Sequence, residues 1–103
     1  MNTAKVLKET EKAYFLHMGV DVWEEMYYIK TWMPKSQITI ENRDADDVIS
    51  FTTKNDWILF SKVKDYVQYC IDNGLNVSET KKTFLRFGTK EDVNHTYYTT
   101  LNK

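Results

Sequence analysis

Polar and apolar side chains alternate with a period of two along two stretches in the first half of the chain, which restricts the possible folds. In KAYFLHM (12–18), the even-numbered residues fall on one face of an extended chain and the odd-numbered residues on the other. MYYIKTWM (26–33) alternates in the same way and is rich in aromatic residues. Such segments are typical of strands with one buried face. The pattern predicts two β-strands, the first of which ends at Gly19.

Three shorter segments also have the composition of strands. AKVLKET (4–10) precedes the first alternating stretch, and QITIEN (37–42) and VISFTT (48–53) meet at a polar, acidic turn. Val, Ile, Thr and Phe favour extended backbone, whereas Asn and Asp favour turns. The segment VDVWEEM (20–26) fits either a loop or the approach to the next strand.

One helix is predicted over residues 56–73. Asp56 suits the N-cap because its carboxylate can accept hydrogen bonds from the first free amide groups. Gly74 suits the C-terminal position that requires a positive φ. The apolar residues between them recur at helical spacing and would form the buried stripe: Leu59, Val63, Tyr66, Val67, Cys70 and Ile71.

The last third of the chain carries weaker signals. KTFLRF (82–87) fits a strand, but Ser78 could instead cap a short helical turn. A capping-box pattern at residues 89–92, with Asp in place of Glu, predicts a short C-terminal helix from about residue 90 to 100.

These elements together predict one domain over residues 1–103 of the α+β class. A chain of 103 residues has the length of a single domain. We expect a small antiparallel sheet of four to five strands, one main helix packed on it, and the short C-terminal helix.

The composition argues against several classes of function. The net charge is −1, from 14 basic and 15 acidic residues, so the chain lacks the overall basic excess of a typical nucleic-acid binder. Cys70 is the single cysteine, which excludes a disulfide framework within one chain. The polar start of the chain does not resemble a signal peptide, and no apolar run approaches a membrane span. We therefore expect a cytoplasmic protein.

Pro34 is the only proline in the chain and follows the second alternating stretch directly. Proline has no amide proton and cannot continue a central ladder of hydrogen bonds. We expect the strand to stop or bulge at Pro34 and the chain to turn through Lys35 and Ser36. This corner is either purely structural or the tip of a binding loop beside Trp32.

Two segments of the chain, one of which contains this corner, resemble a known group of proteins. KETEKAYFL (8–16) and TWMPKSQI (31–38) are similar to small uncharacterised proteins of bacteriophages and mobile elements that carry an "ETEKA … W-x-P-K-S-Q" pattern. The resemblance covers about a third of the chain. It implies a genetic context and no mechanism, since that group has no settled function.

The first functional hypothesis is a non-enzymatic accessory protein that binds another protein, as an inhibitor of a host enzyme or defence complex. Aromatic anchors surrounded by polar groups are typical of protein interfaces. The predicted contact surface is an aromatic and acidic cluster beside the proline corner: Trp23, Glu24, Glu25, Tyr27, Trp32 and Lys35.

The alternative is a protein that binds single-stranded DNA or RNA on a sheet face with stacking aromatic residues and flanking lysines. The residues predicted for that face are Lys12, Tyr14, Tyr28 and Lys30, next to Trp32. The same alternation also fits a core-facing surface. The protein would be a monomer or a homodimer, since an edge strand with surplus tyrosines could form a symmetric contact.

The sequence carries no recognisable catalytic or metal-binding pattern, so we expect neither an enzyme nor a cofactor. His17 and His95 are far apart in sequence, and the acidic residues at 44–47 lack the glycine and glutamate of a calcium loop. The three glycines are scattered and form no phosphate loop. Cys70 lies on the apolar stripe of the helix, where a thiol packs as a small apolar group.

Overall fold

The computed structural model describes residues 2–22, 25–55, 57–87 and 98–100. It shows an antiparallel sheet with two helices, which confirms the predicted α+β class. The elements in chain order are β1 (Asn2–Glu9), β2 (Ala13–Val22), β3 (Glu25–Pro34), β4 (Ile38–Arg43), β5 (Val48–Thr53), α1 (Trp57–Asp72), α2 (Glu79–Phe87) and β6 (Tyr98–Thr100). Five strands lie in the order β3-β2-β1-β5-β4, and β6 pairs with β2.

The hairpin of β2 and β3 is the longest pairing in the sheet and runs without a break from Ala13↔Pro34 to Val22↔Glu25. The prediction that the first strand ends at Gly19 was therefore wrong. Gly19 continues the ladder opposite Tyr28 because the absent side chain leaves room for the tyrosine ring, which an added Cβ would approach to 3.0 Å. Of the ambiguous segment 20–26, residues 20–22 extend β2 and residues 25–26 begin β3.

The predicted corner at Pro34 is confirmed. Strand β3 ends at this proline, and a 3-10 turn over Lys35–Gln37 leads into β4. Strand β4 has only six residues, and its pairing with β5 shifts register between Ile40 and Asn42. This irregularity is a β-bulge, which bends and twists the strand.

The core lies between one face of the sheet and helix α1. Leu59, Phe60, Val63 and Val67 supply the buried stripe of the helix. The sheet contributes alternate residues of its strands: Ala4, Val6, Tyr14, Leu16, Met18, Val20, Val22, Tyr27, Ile29, Met33, Ile38, Ile49 and Phe51. The predicted main helix is thus confirmed, although its proposed cap, Asp56, lies outside the described residues.

Helix α1 ends as its sequence predicts. Gly74 has a φ of +69°, and the amide of Leu75 donates to the carbonyl of Cys70 at 2.9 Å. This six-to-one hydrogen bond is the mark of a glycine-terminated helix.

Residues 79–87 form helix α2 and not the alternative strand. The hydroxyl of Ser78 accepts a hydrogen bond from the amide of Lys81 at 3.3 Å, so the capping alternative is the correct one. Phe84 packs from this helix into the core. Helix α2 therefore ends at Phe87, before the range of about 90 to 100 that was predicted for a short C-terminal helix. Of the predicted range 90–100, the described residues 98–100 form strand β6, and the rest lies outside the described residues.

Among the described helices, neither has the length and apolar character needed to cross a membrane.

Candidate protein-binding surface

The pairing of β2 with β3 decides which side chains share a face. Phe15 lies opposite Trp32, and His17 lies opposite Lys30. Odd residues of β2 therefore share a face with even residues of β3, and this face points away from the core. We call the set Phe15, His17, Tyr28, Lys30 and Trp32 the aromatic face.

The rings on this face contact one another across the strands. The centroids of Phe15 and Trp32 are 5.0 Å apart, with their planes tilted by 40°. The ammonium group of Lys8 on β1 lies 5.9 Å from the Phe15 centroid on the same side of the sheet. Tilted rings at this distance attract each other, so the two aromatic side chains hold a defined arrangement.

A surface groove of about 750 Å³ lies along the outer edge of β3, where the aromatic face meets helix α1. All five residues of that face line it, together with Thr31 and a row of helix α1 side chains: Lys62, Asp65, Tyr66 and Tyr69. Tyr28, Trp32 and Tyr69 are 51%, 43% and 58% exposed. The groove therefore collects three large aromatic side chains that the fold leaves in contact with water, which is the composition of an interaction site.

The predicted protein contacts divide between this groove and the rest of the molecule. Trp32 lies on the aromatic face, and Glu25 is half-buried at the start of β3. Tyr27 is fully buried, so its assignment as a contact residue was wrong. It has the opposite parity to Trp32 on the same strand and packs against Phe84, with 5.5 Å between centroids. Trp23 and Glu24 lie outside the described residues.

Lys35 belongs to a separate cluster of charges. Its Nζ lies 2.7 Å from Oε2 of Glu9, and Arg43 reaches Oε1 of the same carboxylate at 2.9 Å. Arg43 also binds Asp47 at 3.0 Å. These two cations lower the pKa of Glu9 through their hydrogen bonds. The Nζ of Lys35 and the Cζ of Arg43 also lie 4.8 and 5.8 Å from the centroid of the Tyr14 ring. Lys35 therefore contacts residues at the end of the sheet and does not line the groove.

The residues predicted for nucleic acid also divide. Tyr28 and Lys30 lie on the aromatic face, and Lys12 is exposed in the turn between β1 and β2. Tyr14 is only 9% exposed and faces the core, so its place in that site was wrong. The prediction combined even residues of both strands, whereas the actual register combines odd residues of β2 with even residues of β3.

Seven groove residues were not predicted as site residues: Phe15, His17, Thr31, Lys62, Asp65, Tyr66 and Tyr69. A signal for Phe15 was present in the sequence, because a hairpin that places Pro34 beside Ala13 also places Phe15 beside Trp32. The helix residues carried no such signal, since the side of β3 that α1 occupies is set by tertiary packing.

The imidazole of His17 lies on the aromatic face. Burial lowers the pKa of His17, and the charge of Lys30 lowers it further. Within the described part of the chain, no cluster of three His, Cys, Asp or Glu side chains could hold a metal ion. The groove thus offers stacking surfaces and two ammonium groups to a ligand.

No protein-family model, curated protein or solved structure matches this chain.

Proposed function

We propose that this protein is a non-enzymatic binding protein that acts on another protein through the aromatic face and its groove. The observation that carries the proposal is the concentration of Tyr28, Trp32 and Tyr69 in one groove, each about half exposed. Tyr and Trp are the side chains that most often dominate the energy of protein interfaces.

The arrangement of the groove supports this role. Two of its exposed rings, Tyr28 and Trp32, project from the same face of one strand on either side of Lys30, and Phe15 contacts Trp32 from the next strand. A rigid platform loses little conformational entropy on binding, which favours affinity. Lys30, Lys62 and Asp65 supply charges beside the aromatic surface, as a polar rim does.

The kind of target is part of this proposal and is supported only by the genetic context that the sequence resemblance implies. A small protein of a phage or mobile element would act on a host enzyme or defence complex, and inhibition is the simplest effect of a small binding protein. The proposal includes a cytoplasmic place of action, an expectation that rests on the amino-acid sequence.

The test is affinity capture from a bacterial lysate, after nuclease treatment and at moderate salt, with matched variants. We expect the tagged protein to retain a discrete partner and Trp32→Ala to lose it, with an affinity at least tenfold weaker, or about 1.4 kcal/mol. Leu75→Ala is the control, because Leu75 is 54% exposed but does not line the groove. Equal capture by all three proteins would exclude the groove as the binding site.

A second candidate function is binding of single-stranded nucleic acid. The observation that favours it is the lysines around the aromatic residues: Lys30 and Lys62 line the groove, and Lys8 lies over Phe15. Bases stack on aromatic rings while lysines neutralise phosphates. Fluorescence anisotropy with a labelled oligothymidylate tests this function, which requires affinity that falls steeply as salt rises and falls further in Lys30→Gln.

A further inference from the structure

Strand β3 forms one end of the sheet order, and within the described residues no strand pairs with its outer side. The amide of Lys35 donates to the carbonyl of Lys12 at 2.8 Å. This hydrogen bond shows which residues of β3 direct their backbone groups toward β2. In an antiparallel pair, successive residues direct their backbone groups to alternate sides. The amide and carbonyl groups of alternate residues therefore point away from β2: those of Met26, Tyr28, Lys30 and Trp32.

Pro34 is consistent with this alternation of backbone directions. Its position in the ladder directs its nitrogen to the outer side, where a missing N–H leaves the pairing with Ala13 undisturbed. The proline thus ends the outer ladder at one end of β3. The preceding residues of β3 form a long, regular edge. On the aromatic face of this edge, the charged side chain of Lys30 lies between Tyr28 and Trp32. The unpaired amide and carbonyl groups of such an edge are a template for pairing with another strand.

We propose that a second copy of this chain pairs with β3 edge to edge, antiparallel, about a two-fold axis at Ile29. This register places Tyr28 opposite Lys30 of the second copy and Met26 opposite its Trp32. Each outward amide then meets an outward carbonyl, so the pairing satisfies the whole exposed ladder of both copies. The interface is isologous, as expected for a closed dimer.

Charge and strand length favour this register over registers with an axis at Lys30 or Tyr28. An axis at Lys30 would set two lysines directly opposite each other, which destabilises a cross-strand pair. An axis at Tyr28 would set Trp32 against residue 24, beyond the start of β3 at Glu25. The axis at Ile29 instead gives each lysine a tyrosine ring as its neighbour, and a cation beside an aromatic ring is favourable.

The groove beside this edge is also compatible with a second copy. Lys62 and Asp65 lie about one helical turn apart on α1, and both line the groove next to β3. Helix α1 of each copy therefore contributes one charge of each sign to the groove. The two aromatic faces become neighbours on the same side of one continuous sheet. This inference does not depend on the proposed function.

Light scattering during gel filtration over a wide range of concentration tests the dimer. We expect a mass twice that of the 12.3 kDa chain. Lys30→Pro removes one outward amide and leaves the hydrogen bonds to β2 intact, so it should halve the mass at the same concentration and keep the circular dichroism of the native sheet. Lys30→Gln keeps the amide and should remain dimeric. A monomeric wild type, or a dimeric and folded Lys30→Pro, would overturn the inference.

Disulfide trapping tests the register without a proline, in proteins that also carry Cys70→Ala. Residues opposite each other in the proposed pairing have Cα atoms about 5.5 Å apart, which a disulfide can span. An equimolar mixture of Tyr28→Cys and Lys30→Cys should give a covalent dimer that contains both variants. Efficient trapping of Lys30→Cys alone would indicate an axis at that residue and contradict the proposed register, as would failure of the mixture to cross-link.

Discussion

The ring of Tyr28 lies over Gly19 on the neighbouring strand. The two residues are paired across the hairpin, and a Cβ on Gly19 would come within 3.0 Å of Cε1 and 3.2 Å of Cδ1 of the tyrosine. Glycine in the interior of a strand leaves backbone uncovered, and a ring from the opposite strand can cover it. The orientation of an exposed groove residue is therefore set by an absent side chain on the next strand.

Gly19→Ala should displace this ring. The added methyl group would also lie 3.1 Å from Sδ of Met26, so both neighbours must move. Because the Tyr28 ring is 51% exposed and can shift, and alanine loses less backbone entropy than glycine in a strand, we expect the free energy of unfolding to change by less than about 1 kcal/mol. In nuclear Overhauser spectra, contacts between residue 19 and the Tyr28 ring should weaken relative to the wild type. Unchanged contacts would show that the ring does not rest on Gly19.

Tyr27→Phe should stabilise the protein. Among the described residues, no group hydrogen-bonds the buried hydroxyl of Tyr27. Burial raises the pKa of this phenol well above its ordinary range, with a smaller effect from Glu25. Removing an unsatisfied buried hydroxyl should raise the free energy of unfolding by about 1 kcal/mol in urea denaturation. The control is Tyr28→Phe, whose ring is 51% exposed and should change stability by less than about 0.5 kcal/mol.

Glu9→Gln should reduce the loss of stability in acid. Hydrogen bonds from Lys35 and Arg43 lower the pKa of Glu9 in the folded protein. The stabilisation is therefore complete above the pKa of the unfolded chain and is lost as the pH falls through the lower pKa of the folded state. The variant should be less stable than the wild type at neutral pH, and the difference should shrink below a pH of about 4. Urea denaturation at several pH values measures this, with Glu11→Gln as the exposed control.

The pKa of His17 should rise when the charge of Lys30 is removed. Burial is the larger cause of its low pKa, so Lys30→Gln should shift the value only part of the way toward that of a free imidazole. Nuclear magnetic resonance titration of the imidazole protons measures the shift. Lys12→Gln changes a lysine in the turn between β1 and β2 and should leave the value unchanged. The folded state binds this proton less readily than the unfolded chain, so stability should fall as pH decreases through the usual range of histidine.

The sequence allowed the prediction of the strands, the main helix and the corner at Pro34, because these depend on local pattern and on single residues with strong backbone preferences. Gly74 is one such residue, and its positive φ was expected. The choice between strand and helix at 82–87 was harder, since Phe84 and Leu85 suit both. The decisive contact there is the short-range cap from Ser78.

The candidate site was predicted less well. Alternation showed that Tyr27 and Tyr28 lie on opposite faces, but it did not show which face is covered by α1. Tyr14 was wrongly grouped with Tyr28 because the alternation within each strand does not reveal the register between the two strands. The groove also requires Tyr69 from the helix, whose proximity to β3 is a product of tertiary packing.

The bulge in β4 gives the two ends of the sheet unequal capacities for growth. A regular edge at β3 can accept a strand, whereas the short β4 is bent where its register with β5 shifts between Ile40 and Asn42. Head-to-tail addition of β3 to β4 would build an open fibre, and the bulge works against it. Two copies joined through β3 would leave β4 at both outer ends, so assembly would stop at a finite particle instead of propagating as a filament.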